Sequence, residues 1–123
     1  MATFVVTVGD PVYGKERVFT ALRFTLAALA EGHSINLFLF EDAIWATKKG
    51  QKPPEFPGIL EGSMPNCEEL IKAALKDGAS IKVCGVCSKE RALISEEIIE
   101  RVQIGSMRDL IEWAERADKV INF

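Results

Sequence analysis

Two cysteines, Cys84 and Cys87, are separated by two residues where an apolar stretch of the chain gives way to a polar one. The preceding residues have the composition of a β-strand, and the following residues have the composition of a helix start. A thiol at such a junction faces free N–H groups and the positive end of the helix dipole, which favour the thiolate. Because the thiolate is the nucleophilic form, the pair predicts thiol chemistry at Cys84 and Cys87.

The residue types leave the role of each cysteine open. Cys84 is either a reactive thiol or a small apolar core residue, because free cysteine is among the most buried residue types. Cys87 either forms a disulfide with Cys84, as in Cys-x-x-Cys redox motifs, or packs at the helix start. The aromatic and proline residues typical of the thioredoxin motif are absent from this stretch. Gly85 leaves room for an incoming donor, and Lys89 and Arg91 would favour the anion.

Metal and hydrolytic chemistry are disfavoured. A structural zinc site needs about four ligands, so it would require Cys67 and His33 in addition to the cysteine pair. His33 follows the helix-ending Gly32, at the predicted edge of the sheet opposite the carboxyl ends of the strands. We therefore predict no metal and no cofactor, with His33 packing in a turn and Cys67 at a helix N-terminus.

A glycine-rich segment, residues 9–14 (GDPVYG), follows the first predicted strand. It occupies the position of a dinucleotide phosphate loop, but the G-x-G-x-x-G spacing is absent and Pro11 lacks an N–H donor. We expect it instead to form one wall of a pocket around Cys84, with Tyr13 as a hydrogen-bond donor. The candidate pocket residues are Gly9, Asp10, Tyr13 and Gly85.

The elements that would position these residues alternate between strands and helices. Strands are predicted at residues 3–8, 34–40, 81–84, 102–104 and 119–123. Helices are predicted at residues 15–31, 43–49, 66–76, 88–93, 95–101 and after 106, the last with Leu110, Ile111 and Ala114 facing inward. Residues 50–65 hold four of the five prolines and are predicted to form a surface loop. The alternation predicts an α/β fold in which helices cover both faces of one mostly parallel sheet.

Length, composition and net charge favour some classes of protein and argue against others. The 123 residues fit a single domain, 1–123, with 48% hydrophobic and 27% charged residues. A net charge of −3 argues against direct binding to nucleic acid or to an anionic membrane. No apolar run reaches the roughly 18 residues of a membrane span, and no charged signal-peptide region precedes the first strand. With three cysteines we expect reduced thiols and a cytoplasmic location.

Four stretches in a fixed order carry a resemblance to a known family: residues 9–14, 28–33 (ALAEGH), 81–84 (IKVC) and 117–123 (ADKVINF). Together they resemble the DsrE/TusD family of sulfur-relay proteins over nearly the whole chain. The resemblance implies a compact three-layer α/β/α domain with a mostly parallel, five-stranded sheet. It also implies a homo-oligomer, a trimer or a hexamer.

The resemblance further implies a function for the cysteine pair. Sulfur-transferring members carry a persulfide on one cysteine at the end of the third or fourth strand, and that position falls on Cys84. The chain is then expected to be a sulfur carrier whose partners are sulfur donor and acceptor proteins. Cys87 departs from the single-cysteine pattern: it either resolves the Cys84 persulfide by forming a disulfide or packs at the helix start. The alternatives are a non-catalytic oligomeric scaffold or small-ligand-binding protein, and a Cys84/Cys87 dithiol redox protein.

Overall fold

A five-stranded parallel sheet is the centre of the computed structural model, which describes residues 1–53 and 65–123. The strands are β1 (Thr3–Val8), β2 (Ser34–Leu39), β3 (Ser80–Cys84), β4 (Gln103–Gly105) and β5 (Lys119–Asn122). The α-helices are α1 (Arg17–Ala30), α2 (Cys67–Lys76), α3 (Gly85–Glu90) and α4 (Met107–Arg116), with 3-10 helices at Glu41–Thr47 and Ser95–Glu97. The strand order is β4-β3-β2-β1-β5, and every neighbouring pair is parallel. The predicted α/β fold is confirmed.

The strands in the middle of the sheet are apolar because they are covered on both faces. Val5, Val6 and Val8 of β1 have no exposed surface, and Val6 pairs with Leu37 of β2. A parallel sheet needs crossover helices, and these shield both faces of its inner strands from water. The continuous apolar runs in the sequence therefore correspond to β1 and β2.

The core divides into two apolar clusters, and adjacent residues of β2 belong to different clusters because successive side chains of a strand point to opposite faces. Leu37 belongs to the larger cluster, which includes Leu22 of α1 and Ile71 of α2. The next residue, Phe38, belongs to a smaller cluster, against which Trp113 of α4 packs. Cys84, Cys87 and Val83 are also members of the smaller cluster. The cysteine pair thus belongs to the same apolar cluster as Phe38, against which α4 packs through Trp113.

The ends of several elements differ from the predicted bounds. The predicted short helix at 43–49 is a 3-10 helix that begins at Glu41, and α3 begins at Gly85 rather than at residue 88. Helix α3 begins early because Cys84 caps it: the Cys87 N–H donates to the Cys84 Sγ over 3.4 Å. Residues 54–64 of the predicted loop lie outside the described residues.

The start of α4 is held by a reciprocal pair of hydrogen bonds. The Asp109 N–H donates to the Ser106 Oγ over 3.3 Å, and the Ser106 N–H donates to the Asp109 Oδ2 over 2.8 Å. Such a capping box satisfies backbone donors that the first helical turn leaves free. Asp109 also lies 3.4 Å from the Lys82 Nζ, which ties α4 to β3.

Replacing Ser106 with alanine is expected to lower the free energy of unfolding by about 1 kcal/mol, because the helix loses its cap. Urea denaturation measures the change. Ser95→Ala is the matched control, since the Ser95 hydroxyl is exposed and makes no hydrogen bond within the described part of the chain. An equal loss in both variants would contradict the role given to the cap.

Candidate active site

The candidate site lies at the carboxyl end of β3. Cys84 is the last residue of the strand, where it pairs with Gly105 of β4, and it is also the N-cap of α3. Its Sγ accepts the Cys87 N–H, one of the donors that a helix start leaves free. The strand therefore delivers the sulfur to the sheet edge where α/β proteins bind their ligands, and α3 supplies a hydrogen-bond donor to it.

The thiol of Cys87 accepts a backbone hydrogen bond, and its surroundings shift its pKa. The Glu41 N–H donates to the Cys87 Sγ over 3.0 Å. Burial raises the pKa of the Cys87 thiol, and a hydrogen bond with the Cys84 side chain raises it further. The Glu41 N–H and the charge of Arg91 lower this pKa, but by less. Cys87 is therefore protonated at neutral pH.

Arg91 is fixed beside Cys87 by an acidic partner. Its Nε lies 2.9 Å from the Asp42 Oδ1, and its Nη1 donates to the Cys87 carbonyl oxygen over 3.4 Å. This pairing raises the pKa of Arg91, so its positive charge persists at all ordinary pH values. The ion pair joins the end of α3 to the 3-10 helix that follows β2.

Gly9 lies behind the backbone segment that contacts Cys87. A Cβ atom at Gly9 would be 2.6 Å from the Phe40 Cε1 and 3.2 Å from the Glu41 Oε2. Glu41 itself has a φ of +48°, which residues other than glycine rarely adopt. Because Gly9 has no side chain, Phe40 and Glu41 can pack close to the end of β1. The residue with the unusual φ, Glu41, is also the one whose N–H donates to the Cys87 Sγ.

An open apolar cleft of about 1090 Å³ runs past the cysteine pair. Besides Cys84, Cys87 and Gly85, it is lined by four large apolar side chains that are more than half exposed: Val86, Ile94, Ile104 and Met107. Cys84 is 5% exposed and Cys87 is 9% exposed, so only a small part of each residue borders the cleft. A Cβ atom at Gly85 would be 3.0 Å from the Ile104 Cγ2, so this glycine allows β4 to approach the start of α3.

Three of the four predicted pocket residues, Gly9, Asp10 and Tyr13, do not line this cleft. The Tyr13 hydroxyl donates to the Gln51 Oε1 over 2.7 Å and accepts the Cys67 N–H over 3.4 Å. Asp10 borders a separate cleft together with Lys15. None of the three lines the cleft beside Cys84, which corrects the prediction that residues 9–14 form its wall. The physical reason is that the loop after β1 is drawn toward the start of α2 by the hydrogen bonds of Tyr13.

Cys67, the first residue of α2, is fully buried, and burial raises the pKa of its thiol to about 11. The thiolate appears only as the pH rises toward this value, so about 0.1% is ionised at pH 8. We expect Cys67 to react with iodoacetamide at pH 8 far more slowly in the folded chain than in a denatured control. Mass spectrometry of timed digests measures the rate. Equal rates in both states would contradict this assignment.

His33 lies at the amino end of the sheet, before β2, whereas Cys84 lies at the carboxyl end of β3. The His33 Nδ1 accepts the Ala2 N–H over 3.0 Å, and its ring packs edge-on against Phe4. Across residues 1–53 and 65–123, no group of three or more His, Cys, Asp or Glu side chains could hold a metal ion. Among the helices that the structure describes, none is both long and apolar enough to cross a bilayer.

Sequence reasoning missed the part that Glu41 plays at the site. The signal available was its position directly after β2, on the same sheet edge as the end of β3. That position places Glu41 at the same sheet edge as the cysteines. It does not indicate that the backbone N–H of Glu41, rather than its carboxylate, would form a hydrogen bond with Cys87.

Comparison with known proteins gives consistent similarity over the full length. The model of the DsrE/DsrF-like family matches residues 2–123. An uncharacterized protein of Methanopyrus kandleri is 43% identical over 118 residues, which cover 96% of this chain and 91% of that protein. The YchN protein of Escherichia coli is 29% identical, and its crystal structure matches with a TM-score of 0.88 over 100% of both chains. A protein of unknown function from Methanobacterium thermoautotrophicum shares the fold, with a TM-score of 0.75 at 9% identity over 98% of this chain and 99% of that chain.

Proposed function

The chain belongs to the DsrE/DsrF-like family, as its sequence motifs predicted, and on this basis we propose that it carries sulfane sulfur as a persulfide on Cys84. The observation that carries the proposal is the placement of Cys84. Its sulfur ends β3, accepts the N–H of Cys87 and belongs to a residue that lines an open cleft. These are the features that a persulfide carrier needs: a nucleophilic sulfur, a donor to stabilise its anion, and room for a second molecule.

The chemistry proceeds by two displacements at sulfur. In loading, the Cys84 thiolate attacks the outer sulfur of a donor persulfide, a new S–S bond forms, and the donor leaves as a thiolate with the electron pair of the broken bond. In unloading, an acceptor nucleophile attacks that same outer sulfur, and Cys84 leaves as a thiolate. Neither step needs an external oxidant or reductant. The Cys87 N–H stabilises the Cys84 thiolate before the first step and after the second.

The cleft determines how the partners reach this sulfur. Its lining is mostly apolar, and Val86 at the start of α3 is 68% exposed. Exposed apolar side chains in one patch are typical of protein contact surfaces. The proposal therefore includes donor and acceptor proteins that approach through the cleft, and a homo-oligomeric assembly that light scattering would measure.

The direct test is a loading experiment. The protein is incubated with inorganic polysulfide, excess reagent is removed, and the intact mass is recorded. We expect a gain of about 32 Da for each added sulfur. Peptide mapping should place the gain on Cys84. A chain that gains no mass, while an unrelated protein with a reactive thiol does, would contradict the proposal.

A second candidate follows from the low exposure of Cys84, which is 5%. In that case the protein is a scaffold or small-ligand binder in which Cys84 is an inert core residue and the cleft alone has a function. The alkylation rate of Cys84 separates the two candidates. A rate as slow as that of the buried Cys67 would favour the scaffold, and a rate well above it would favour the carrier.

A further inference from the structure

The thiol of Cys87 has no task in simple persulfide transfer, yet the residue contacts the sulfur that would carry the cargo. The Cys87 N–H donates to the Cys84 Sγ over 3.4 Å, and both residues line the same cleft. Resting on the proposed function, we infer that Cys87 is a resolving cysteine, which discharges the Cys84 persulfide as hydrogen sulfide. The sulfur on Cys84 would then leave by either of two routes: transfer to an acceptor protein or release as hydrogen sulfide.

The discharge reaction balances without an external oxidant. The Cys87 thiolate attacks the inner sulfur of the persulfide, which is the Cys84 Sγ itself, and the bond to the outer sulfur breaks. The outer sulfur leaves with that electron pair as hydrosulfide and takes up the proton that Cys87 lost. The two cysteines are oxidised to a disulfide while the sulfane sulfur is reduced to sulfide. A small thiol or a dithiol protein then reduces the disulfide and restores the starting state.

The geometry places the attacking group beside the atom that it must attack. Cys84 is the N-cap of α3 and Cys87 lies one helical turn further, so the backbone already holds their side chains together. The Glu41 N–H, 3.0 Å from the Cys87 Sγ, favours the thiolate that the attack requires. Cys67 is not placed for this role, since its N–H donates to Tyr13 at the start of α2.

The burial of the Cys87 thiol explains why sulfide release is slower than transfer of the sulfur to an acceptor. Because the pKa of Cys87 is raised, its thiolate is scarce at neutral pH, and the persulfide persists until an acceptor arrives. The charged and titratable groups around Cys87 are Cys84 and Arg91 beside α3, and Glu41 and Asp42 on the facing 3-10 helix. Release of sulfide from the Cys84 persulfide is therefore slow, and it occurs when no acceptor is present.

The test follows loaded protein over time in anaerobic buffer without added thiol. Wild-type protein is loaded with inorganic polysulfide and desalted, and then the intact mass and the free sulfide are measured at intervals. We expect the added mass of about 32 Da to be replaced by a loss of about 2 Da, with equimolar sulfide in solution. Cys87→Ser should keep the added sulfur and release none until a small thiol is supplied. Cys67→Ser is the matched control and should behave as the wild type does.

Each outcome bears on one of the two proposals. Loaded wild-type protein that keeps its added mass and releases no sulfide would overturn the resolving role and leave the carrier function standing. Release from Cys87→Ser at the wild-type rate would overturn it as well. No mass gain in any variant would overturn the carrier function and this inference with it. Cys87→Ala, checked by circular dichroism, guards against a fold defect specific to the serine variant.

Discussion

Cys84→Ser is expected to abolish persulfide loading while the fold is retained. Serine is close to cysteine in shape, and its hydroxyl can accept the Cys87 N–H that now meets the Cys84 Sγ at 3.4 Å. The cap of α3 therefore survives the substitution. A hydroxyl is far less acidic than a thiol and forms no persulfide, so the variant has no group on which the sulfur could be held. After treatment with inorganic polysulfide its intact mass should show none of the gain expected on Cys84.

Cys67→Ser is the matched control for this experiment, because it also removes one thiol but one that is fully buried at the start of α2. It should load as much sulfur as the wild type does. The proposal fails if Cys84→Ser gains the same mass as the wild type, or if loading depends on Cys67 instead. Circular dichroism of both variants shows whether each retains its secondary structure.

Phe38→Ala is expected to have the largest effect on stability, a loss of about 3–5 kcal/mol in the free energy of unfolding. The Phe38 side chain has no exposed surface, and its ring packs edge-on against Trp113 with centroids 6.3 Å apart. A Cβ atom at Gly105 would be 3.1 Å from the Phe38 Cε2, which shows how closely the ring is enclosed. Truncation would leave a cavity in the cluster that contains Cys84.

Urea denaturation measures this loss from the midpoint and slope of the transition. Phe19→Ala on α1 is the matched control, because it deletes the same ring from a half-buried position at which Arg23 stacks over it. Its loss should be clearly smaller. Similar losses in the two variants would show that the Phe38 cluster contributes less to stability than its burial indicates.

Much of the fold could be predicted because the signals for it are local. The apolar run at residues 3–8 matches β1 residue for residue, since every inner strand of a parallel sheet is buried on both faces. Gly32 and Gly78 follow α1 and α2 with φ values of +88° and +103°, as a helix-ending glycine requires. The position of Cys84 at a strand end could be predicted for the same reason.

The parts that could not be predicted depend on how distant segments meet. The Glu41 N–H and the Cys87 Sγ are 46 residues apart, and no local pattern specifies their contact. Tyr13 likewise finds its partners 38 and 54 residues away. Helical spacing alone placed Ile111 on the inner face of α4, but it is 59% exposed. The helix is turned so that Trp113 rather than Ile111 packs toward Phe38.

Under the proposed carrier function, the burial of Cys84 has a consequence for distinguishing the loaded protein from the empty one. A second sulfur adds about 2 Å to the side chain, which is the length of an S–S bond. The empty residue is 5% exposed, whereas the added sulfur would lie one bond further from the backbone, on a residue that lines the cleft. The sulfur would therefore be more accessible in the loaded protein than in the empty one. A partner that contacts the cleft could distinguish the two forms by this difference.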